Sequence, residues 1–209
     1  MLYGAINMTK YEAWSLGIQV TGTIVAIAVV TVAVLGEKIR QWLSRSDITL
    51  ALREPSFTKT INQQKGWYYL LKVENSRRTC PAGNVRVMMT KVYKKGPDGS
   101  WLEQRFSGPT QVKWQWPDTM PQFLTIGPEV NATFLAVLHG AGEIVLCMYW
   151  YPNNLTPTIK PNDPTRLCFK ADSDIDESNE IIIDIAWDGK WVEGRTEMAE
   201  HLIVKQYTV

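Results

Sequence analysis

The 209-residue chain has few of the residues that form metal centres, disulfide frameworks and catalytic dyads. It contains two isolated histidines, His139 and His201, and three cysteines, Cys80, Cys147 and Cys168, without metal-site spacing. An odd number of distant cysteines is no disulfide framework, and a Cys147–Cys168 bridge is the favoured one of the pairings that the sequence leaves open. No nucleophile signature and no phosphate-binding glycine loop occurs, so we expect no catalytic residue, no cofactor and no metal.

An excess of either charge is also lacking, with 22 Lys and Arg against 21 Asp and Glu. Residues 1–45 hold four of the basic and two of the acidic residues, which leaves 18 basic and 19 acidic residues in 46–209. A domain with a net charge of about −1 does not attract nucleic acid in general, because binding to phosphates needs clustered Lys and Arg. The sequence therefore predicts no nucleic-acid partner.

One long apolar run lies near the N-terminus. From Trp14 to Leu35 the chain has 22 residues without a charge, and about 20 apolar residues suffice for a helix to cross a bilayer. Trp14 and Trp42 are separated by about 42 Å of helix, which matches a bilayer with the headgroup zones where Trp is enriched. We therefore predict an N-terminal flank over residues 1–13 and a transmembrane helix over residues 14–36. A cleaved signal peptide and a buried core helix are the alternatives, but the run is longer than a signal's apolar region and lacks a basic start.

The flanking charges predict an orientation. Three basic residues follow the run and Lys10 alone precedes it, so the positive-inside bias places a single-pass protein in the cell membrane with its C-terminal domain in the cytoplasm. Residues 37–46 have apolar residues at helical spacing and basic residues elsewhere, which fits either contact with anionic headgroups or a plain stop-transfer flank. The predicted partner of this part is the lipid bilayer. The predicted membrane-anchoring residues are Trp14, Lys38, Arg40, Trp42 and Arg45.

After Asp47 the hydrophobic pattern changes to the short runs that are typical of strands. Examples are "WYYLLKVEN", "NVRVMMTKVY" and "NEIIIDIAW", and the Asp-Gly in "KKGPDGS" predicts a hairpin turn. Roughly seven to nine such runs without helices between them predict an all-β fold, an antiparallel β-sandwich, over residues 47–192. Residues 193–209 are predicted to form a short helix, capped by Thr196 and ending at Leu202, and a tail.

In residues 68–92 the pattern L-x-V-x-N is followed by A-x-N-V-x-V. This segment resembles paired strands of bacterial immunoglobulin-like sandwiches. The matching residues are Leu71, Val73, Asn75, Ala82, Asn84, Val85 and Val87, whereas Arg77 replaces the usual glycine. The order of a span ending in "GEKIRQW", one β-domain and a closing "WDGKW" is similar to a group of uncharacterised bacterial single-pass membrane proteins. The resemblance implies an immunoglobulin-like fold and a structural role for the Asn75 amide. It implies no activity.

Two stretches are candidate ligand sites. "KWQWPDTMPQF" places Trp114 and Trp116 at alternate positions, where they would either present aromatic side chains to a ligand or cover the end of the core from an edge strand. "DSDIDESNE" places Asp172, Asp174 and Asp176 at the spacing that begins a calcium loop. Glutamate and isoleucine stand where that loop needs glycine and glutamate, so a solvated loop is favoured over a metal site.

These features favour a membrane-tethered, non-catalytic module that binds an unidentified protein partner through a sheet edge or exposed loops. The first alternative is an exported, envelope-facing domain that binds carbohydrate or calcium, and the second is an enzyme of unrecognised type. The glycosylation patterns at Asn131 and Asn154 matter only for an exported domain in a glycosylating organism. The sequence does not predict an oligomeric state.

Overall fold

The computed structural model describes residues 10–44, 47–59, 65–77, 80–116, 120 and 122–208. The chain divides into two compact units, Met1–Arg45 and Ser46–Val209. The first unit holds helix α1 (Lys10–Ser44), and the second is a β-rich domain with one short helix. A mostly antiparallel β-fold with an N-terminal apolar helix and a short C-terminal helix, as predicted, is confirmed at this level.

Helix α1 is one continuous helix of 35 residues. Its segment Ile18–Gly36 has a mean hydropathy of 2.3, and none of that segment is buried inside the protein. Among the described residues it is the one helix long and apolar enough to cross a membrane, which fits a membrane anchor and a signal sequence alike. The hydroxyls of Thr23 and Thr31 donate hydrogen bonds to carbonyls four residues earlier, so their polarity is satisfied within the helix.

The structure describes the predicted anchoring residues to different extents. Trp14 is exposed on α1, near the start of the apolar run. The helical backbone continues through Lys38, Arg40 and Trp42, but the side chains of these three lie outside the described part. Arg45 lies outside the described residues altogether.

The second unit consists mainly of strands. In chain order these are β1 (Ile48–Lys59), β2 (Lys65–Asn75), β3 (Ala82–Lys95), β4 (Trp101–Glu103), β5 (Thr110–Gln111), β6 (Lys113–Trp114), β7 (Leu124–Ile126), β8 (Glu129–Leu138), β9 (Ile144–Leu146), β10 (Thr158–Ile159), β11 (Thr165–Asp172), β12 (Ile181–Trp187) and β13 (Leu202–Thr208). Helix α2 (Arg195–His201) lies between β12 and β13. In β12 every second residue is buried, which is the period of two that a strand with one face on a core requires.

The strands form two antiparallel sheets around one core. The six-stranded sheet has the order β1-β2-β8-β9-β10, with β6 paired to β8. The seven-stranded sheet has the order β13-β12-β11-β3-β4, with β5 and β7 paired to β3. The rings of Phe134 in β8 and Phe169 in β11 meet edge to face, with centroids 5.3 Å apart, so side chains of both sheets pack together.

The predicted hairpin turn joins β3 to β4. Gly99 has a φ of 83°, a left-handed conformation that glycine adopts without steric cost. The carboxylate of Asp98 accepts hydrogen bonds from the backbone N–H and the hydroxyl of Ser100, at 3.0 and 2.6 Å. The predicted hairpin between β3 and β4 is thereby confirmed.

The chain crosses between the two sheets in the segment from β5 to β6. β5 pairs with Met88 and Met89 of β3 in the seven-stranded sheet, whereas β6 pairs with β8 in the six-stranded sheet. Val112, between them, forms an isolated bridge with Met148. The crossing closes one side of the core.

The C-terminal segment is a helix followed by a strand, not a helix followed by a tail. Gly194 is the N-cap of α2 and no side chain caps this helix, so the cap predicted at Thr196 is corrected. β13 then pairs with β12 along its full length, from Leu202 opposite Trp187 to Thr208 opposite Ile181. The β-domain therefore continues beyond residue 192, because the run "LIVKQYT" completes a sheet.

Candidate functional site

The two tryptophans of the candidate ligand site lie in different environments. Trp114 is 0% exposed, and its indole N–H donates a hydrogen bond to the carbonyl of Gln122 at 3.1 Å. Trp116, two residues later, is 58% exposed. Of the two alternatives, core coverage applies to Trp114, whereas Trp116 lies at the surface, because the crossing between the sheets directs only Trp114 into the core.

The three aspartates of the acidic stretch do not form a metal site. Asp172 accepts two hydrogen bonds from Nε of Arg86, at 2.8 and 3.0 Å, and both carboxylate oxygens of Asp174 accept from the amide of Asn84 at 2.9 Å. The backbone carbonyl of Asp176 accepts a hydrogen bond within the loop. Over the described ranges, no three His, Cys, Asp or Glu side chains are grouped so that they could hold a metal ion. Strand β3 thus supplies side-chain partners for two of the three carboxylates.

None of the three cysteines forms a disulfide. Cys147 follows β9 of the six-stranded sheet and Cys168 lies in β11 of the seven-stranded sheet, and the bridge that the sequence left open between them is not formed. Desolvation raises the pKa of the Cys147 thiol to about 12, and it raises the pKa of Cys168 to about 11. Both thiols therefore stay protonated at neutral pH, and a protonated thiol is a poor nucleophile.

We expect Cys147 and Cys168 to resist alkylation by a maleimide in the native protein at pH 7. The reason is that the raised pKa values leave almost no thiolate at that pH. Brief labelling followed by peptide mass mapping measures the modified fraction at each cysteine. The control is the same reaction in denaturant, where all three cysteines should react. Rapid labelling of either residue in the native protein would contradict the raised pKa values.

The C-terminal strand is an open edge of the seven-stranded sheet. Among the strands of the described part, β13 pairs with β12 alone. The N–H of Asp188 donates to the carbonyl of His201. In an antiparallel pair every second residue directs both of its backbone groups toward the partner strand, so this bond and the register fix which residues of β13 do so. The backbone groups of β13 that point toward β12 are those of Ile203, Lys205 and Tyr207. The groups that point away from β12 are those of Leu202, Val204 and Gln206.

A groove of about 270 Å³ adjoins this edge. Its lining includes Pro55, Trp67, Tyr69, Met198, Leu202 and Val204. Pro55 lies where the pairing of β1 with β2 shifts register, between Arg53 and Ser56. The groove therefore opens where β1 bulges away from its regular course beside α2 and β13.

Side chains, not backbone pairs, connect β13 and α2 to β1. The side-chain oxygen of Gln206 accepts a hydrogen bond from the backbone N–H of Leu52. Arg195 of α2 forms an ion pair with Glu54 at 2.8 Å. On the outer side of β13, Ile203 and Tyr207 are 44% and 48% exposed. The edge thus presents two apolar side chains and backbone groups that point away from β12.

The strand β13 was not predicted from the sequence. The signal that could have found it is the run "LIVKQYT", which is rich in β-branched and aromatic residues. The helical pattern of "RTEMAEH" directly before it obscured this run, because helix and strand follow one another without a turn residue between them.

Comparison with known proteins assigns no family to the chain. No protein-family model matches it, and no curated protein matches it. The resemblance of residues 68–92 to immunoglobulin-like strand pairs therefore stays a prediction.

Proposed function

We propose that the protein is a single-pass membrane protein in which α1 tethers a non-catalytic, immunoglobulin-like β-sandwich in the cytoplasm, as a module that binds a protein partner. The observation that carries this proposal is the apolar surface of Ile18–Gly36, none of which is buried inside the protein. A helix satisfies its own backbone hydrogen bonds, so a bilayer accommodates such a surface. The β-domain has a hydrophobic core of its own and does not need α1 for one.

The strand order supports the immunoglobulin-like part of the proposal. β2 pairs with β8, and β3 pairs with β11, so strands that are distant in the sequence are neighbours in both sheets. Such pairing of distant antiparallel strands across two sheets with a shared core is typical of Greek-key sandwiches. The buried Asn75 amide, which bonds to three backbone groups, also agrees with the resemblance.

The surface of the β-domain supports an interaction role. Trp116, Phe123, Trp150 and Tyr151 are exposed, and aromatic side chains are enriched at protein–protein interfaces. These residues lie in exposed loops, one of the two kinds of surface that the sequence-based hypothesis named.

A topology measurement tests the tether and its orientation. We expect a reporter that is active only in the cytoplasm to give a signal when it is fused after Val209, on a chain of full length, because Lys38, Arg40 and Arg45 follow the apolar segment. The matched variant reverses the charges, with Lys38→Glu and Arg40→Glu, and should reduce that signal. A signal from a reporter active only outside the cytoplasm, or a shortened chain, would overturn the proposal and favour the exported alternative.

The native glycosylation pattern at Asn154 provides an independent check. Asn154 is exposed in a turn, where a glycosylating enzyme has access to it. After synthesis into glycosylating membranes we expect no glycan, since the β-domain stays on the cytoplasmic side. A slower-migrating band that glycosidase removes, and that Asn154→Gln abolishes, would place the domain on the opposite side.

A further inference from the structure

Most sheet edges in the described part of the chain carry a feature that prevents pairing with another strand. β10 has two residues and β4 has three. In β1 the pairing with β2 shifts register at Pro55, and the two residues before this proline are charged. The Gln206 side chain also accepts a hydrogen bond from the outer edge of β1. Natural proteins protect edge strands with such short lengths, bulges, prolines and charges.

The edge of β13 lacks all of these features except a charged residue. It is seven residues long, has no proline or glycine, pairs with β12 without a register shift, and contains one charged residue, Lys205. The N–H of Leu202 already donates to the carbonyl of Met198. The groups that remain directed outward are the carbonyl of Leu202 and both backbone groups of Val204 and Gln206. An edge of this kind is a template for a further strand.

We propose that β13 pairs antiparallel with β13 of a second copy of this chain, so that the two seven-stranded sheets join across a twofold axis at Val204. In this register the two Val204 residues exchange two backbone hydrogen bonds. Each Gln206 N–H donates to the Leu202 carbonyl of the other copy, which adds two more. This register does not use the Leu202 N–H, which already donates to the carbonyl of Met198.

The side chains of β13 favour this register and a second copy as the occupant. Ile203 faces Lys205 of the other copy, so that the two lysines are not directly opposed, and like charges directly opposed destabilise a strand pair. The exposed Ile203 side chain then packs on the aliphatic stem of that lysine. A twofold contact uses the same surface on both copies, and this edge is present on every copy.

The charge of the β-domain also permits self-association. With 18 basic and 19 acidic residues in 46–209, two copies repel each other little. Two copies tethered in one membrane would also have a high effective concentration. That last argument rests on the proposed tether, whereas the strand pairing itself does not.

The proposal is tested by the mass of the full-length protein in detergent micelles, measured by light scattering with the detergent contribution subtracted. We expect a dimer for the native chain. Val204→Pro removes an outward N–H and leaves the bonds to β12, which come from residues 203 and 205, so the mass should fall by about half. Val204→Ala, the matched control, shortens the side chain and keeps the N–H, and should remain dimeric.

A native chain that is monomeric would overturn the proposal, and so would a Val204→Pro variant that is folded and still dimeric. The second result would assign the association to another surface, such as α1. Neither result alters the outcome of the topology measurement, so failure of the proposed tether and failure of the strand pairing are distinguishable.

A cross-linking measurement keeps the proposal testable if Val204→Pro does not fold. Facing residues of a pair that shares no backbone hydrogen bonds have Cα atoms about 4.5 Å apart, within the range of a disulfide. Mixed chains carrying Ile203→Cys and Lys205→Cys should therefore form a disulfide-linked dimer on oxidation. Leu102→Cys, at an exposed residue of β4 on the opposite edge of the same sheet, is the control for random collision, and the unsubstituted chain is the control for the native cysteines. Cross-linking no greater than in these controls would overturn the register.

Discussion

Replacement of Trp114 by alanine is expected to lower the free energy of unfolding by about 3–5 kcal/mol, the usual loss when a large buried side chain is removed. The indole is 0% exposed and lies in the segment that crosses between the two sheets. Its removal leaves a cavity at the crossing, and the carbonyl of Gln122 loses a hydrogen bond donor. Denaturant unfolding followed by circular dichroism measures the change.

The matched control is Trp116→Ala, which deletes the same side chain two residues later. Because Trp116 is 58% exposed, we expect its loss to change the free energy of unfolding by less than about 1 kcal/mol. Equal losses in the two variants, or a small loss in both, would contradict the placement of Trp114 in the core. If Trp116 belongs to a binding surface, its variant should be stable and lose partner binding.

Replacement of Asn75 by alanine is expected to cost about 2–3 kcal/mol, because a buried amide that bonds to several backbone groups is removed. Asn75 is 1% exposed at the end of β2. Its amide nitrogen donates to the carbonyl of Cys80 at 2.7 Å, and its side-chain oxygen accepts from the backbone N–H groups of Arg77 and Asp47, at 3.2 and 3.3 Å. One side chain thus connects the chain before β1, the end of β2 and the turn that leads to β3.

Thermal and denaturant unfolding of Asn75→Ala should be compared with unfolding of Asn179→Ala. Asn179 is exposed, and we expect its replacement to change the free energy of unfolding by less than about 0.5 kcal/mol. A loss for Asn75→Ala no greater than for Asn179→Ala would show that the three backbone groups find other partners without the amide.

The apolar helix, the β-class of the domain and its longer strands could be predicted because their signals are local. Twenty-two uncharged residues in succession indicate one long apolar helix wherever they occur. The runs that became β2, β3 and β12 and the Asp-Gly turn before β4 each carry their pattern within a few residues. The structural role of Asn75 was also implied by its neighbours, through the resemblance of the strand pair.

The candidate sites could not be predicted in the same way, because each depends on a partner that is distant in the sequence. Asp172 and Asp174 are engaged by Arg86 and Asn84, more than 80 residues earlier, and nothing in "DSDIDESNE" indicates those partners. The two thiols of Cys147 and Cys168 lie in different sheets, and their spacing along the chain does not show this.

The sequence alone determined that the chain combines one helix able to cross a membrane with a separate β-domain, since both follow from hydrophobic patterns read along the chain. Only the tertiary structure decided which tryptophan is buried and which strand is left as an open edge. Trp114 and Trp116 have the same local pattern, and their burial depends on where the chain crosses between the sheets. Likewise "LIVKQYT" becomes an edge because β12 is its one partner among the described strands and the side chain of Gln206, not a backbone pair, connects it to β1. Burial and strand pairing are properties of the assembled sheets, so they appear only when distant segments meet.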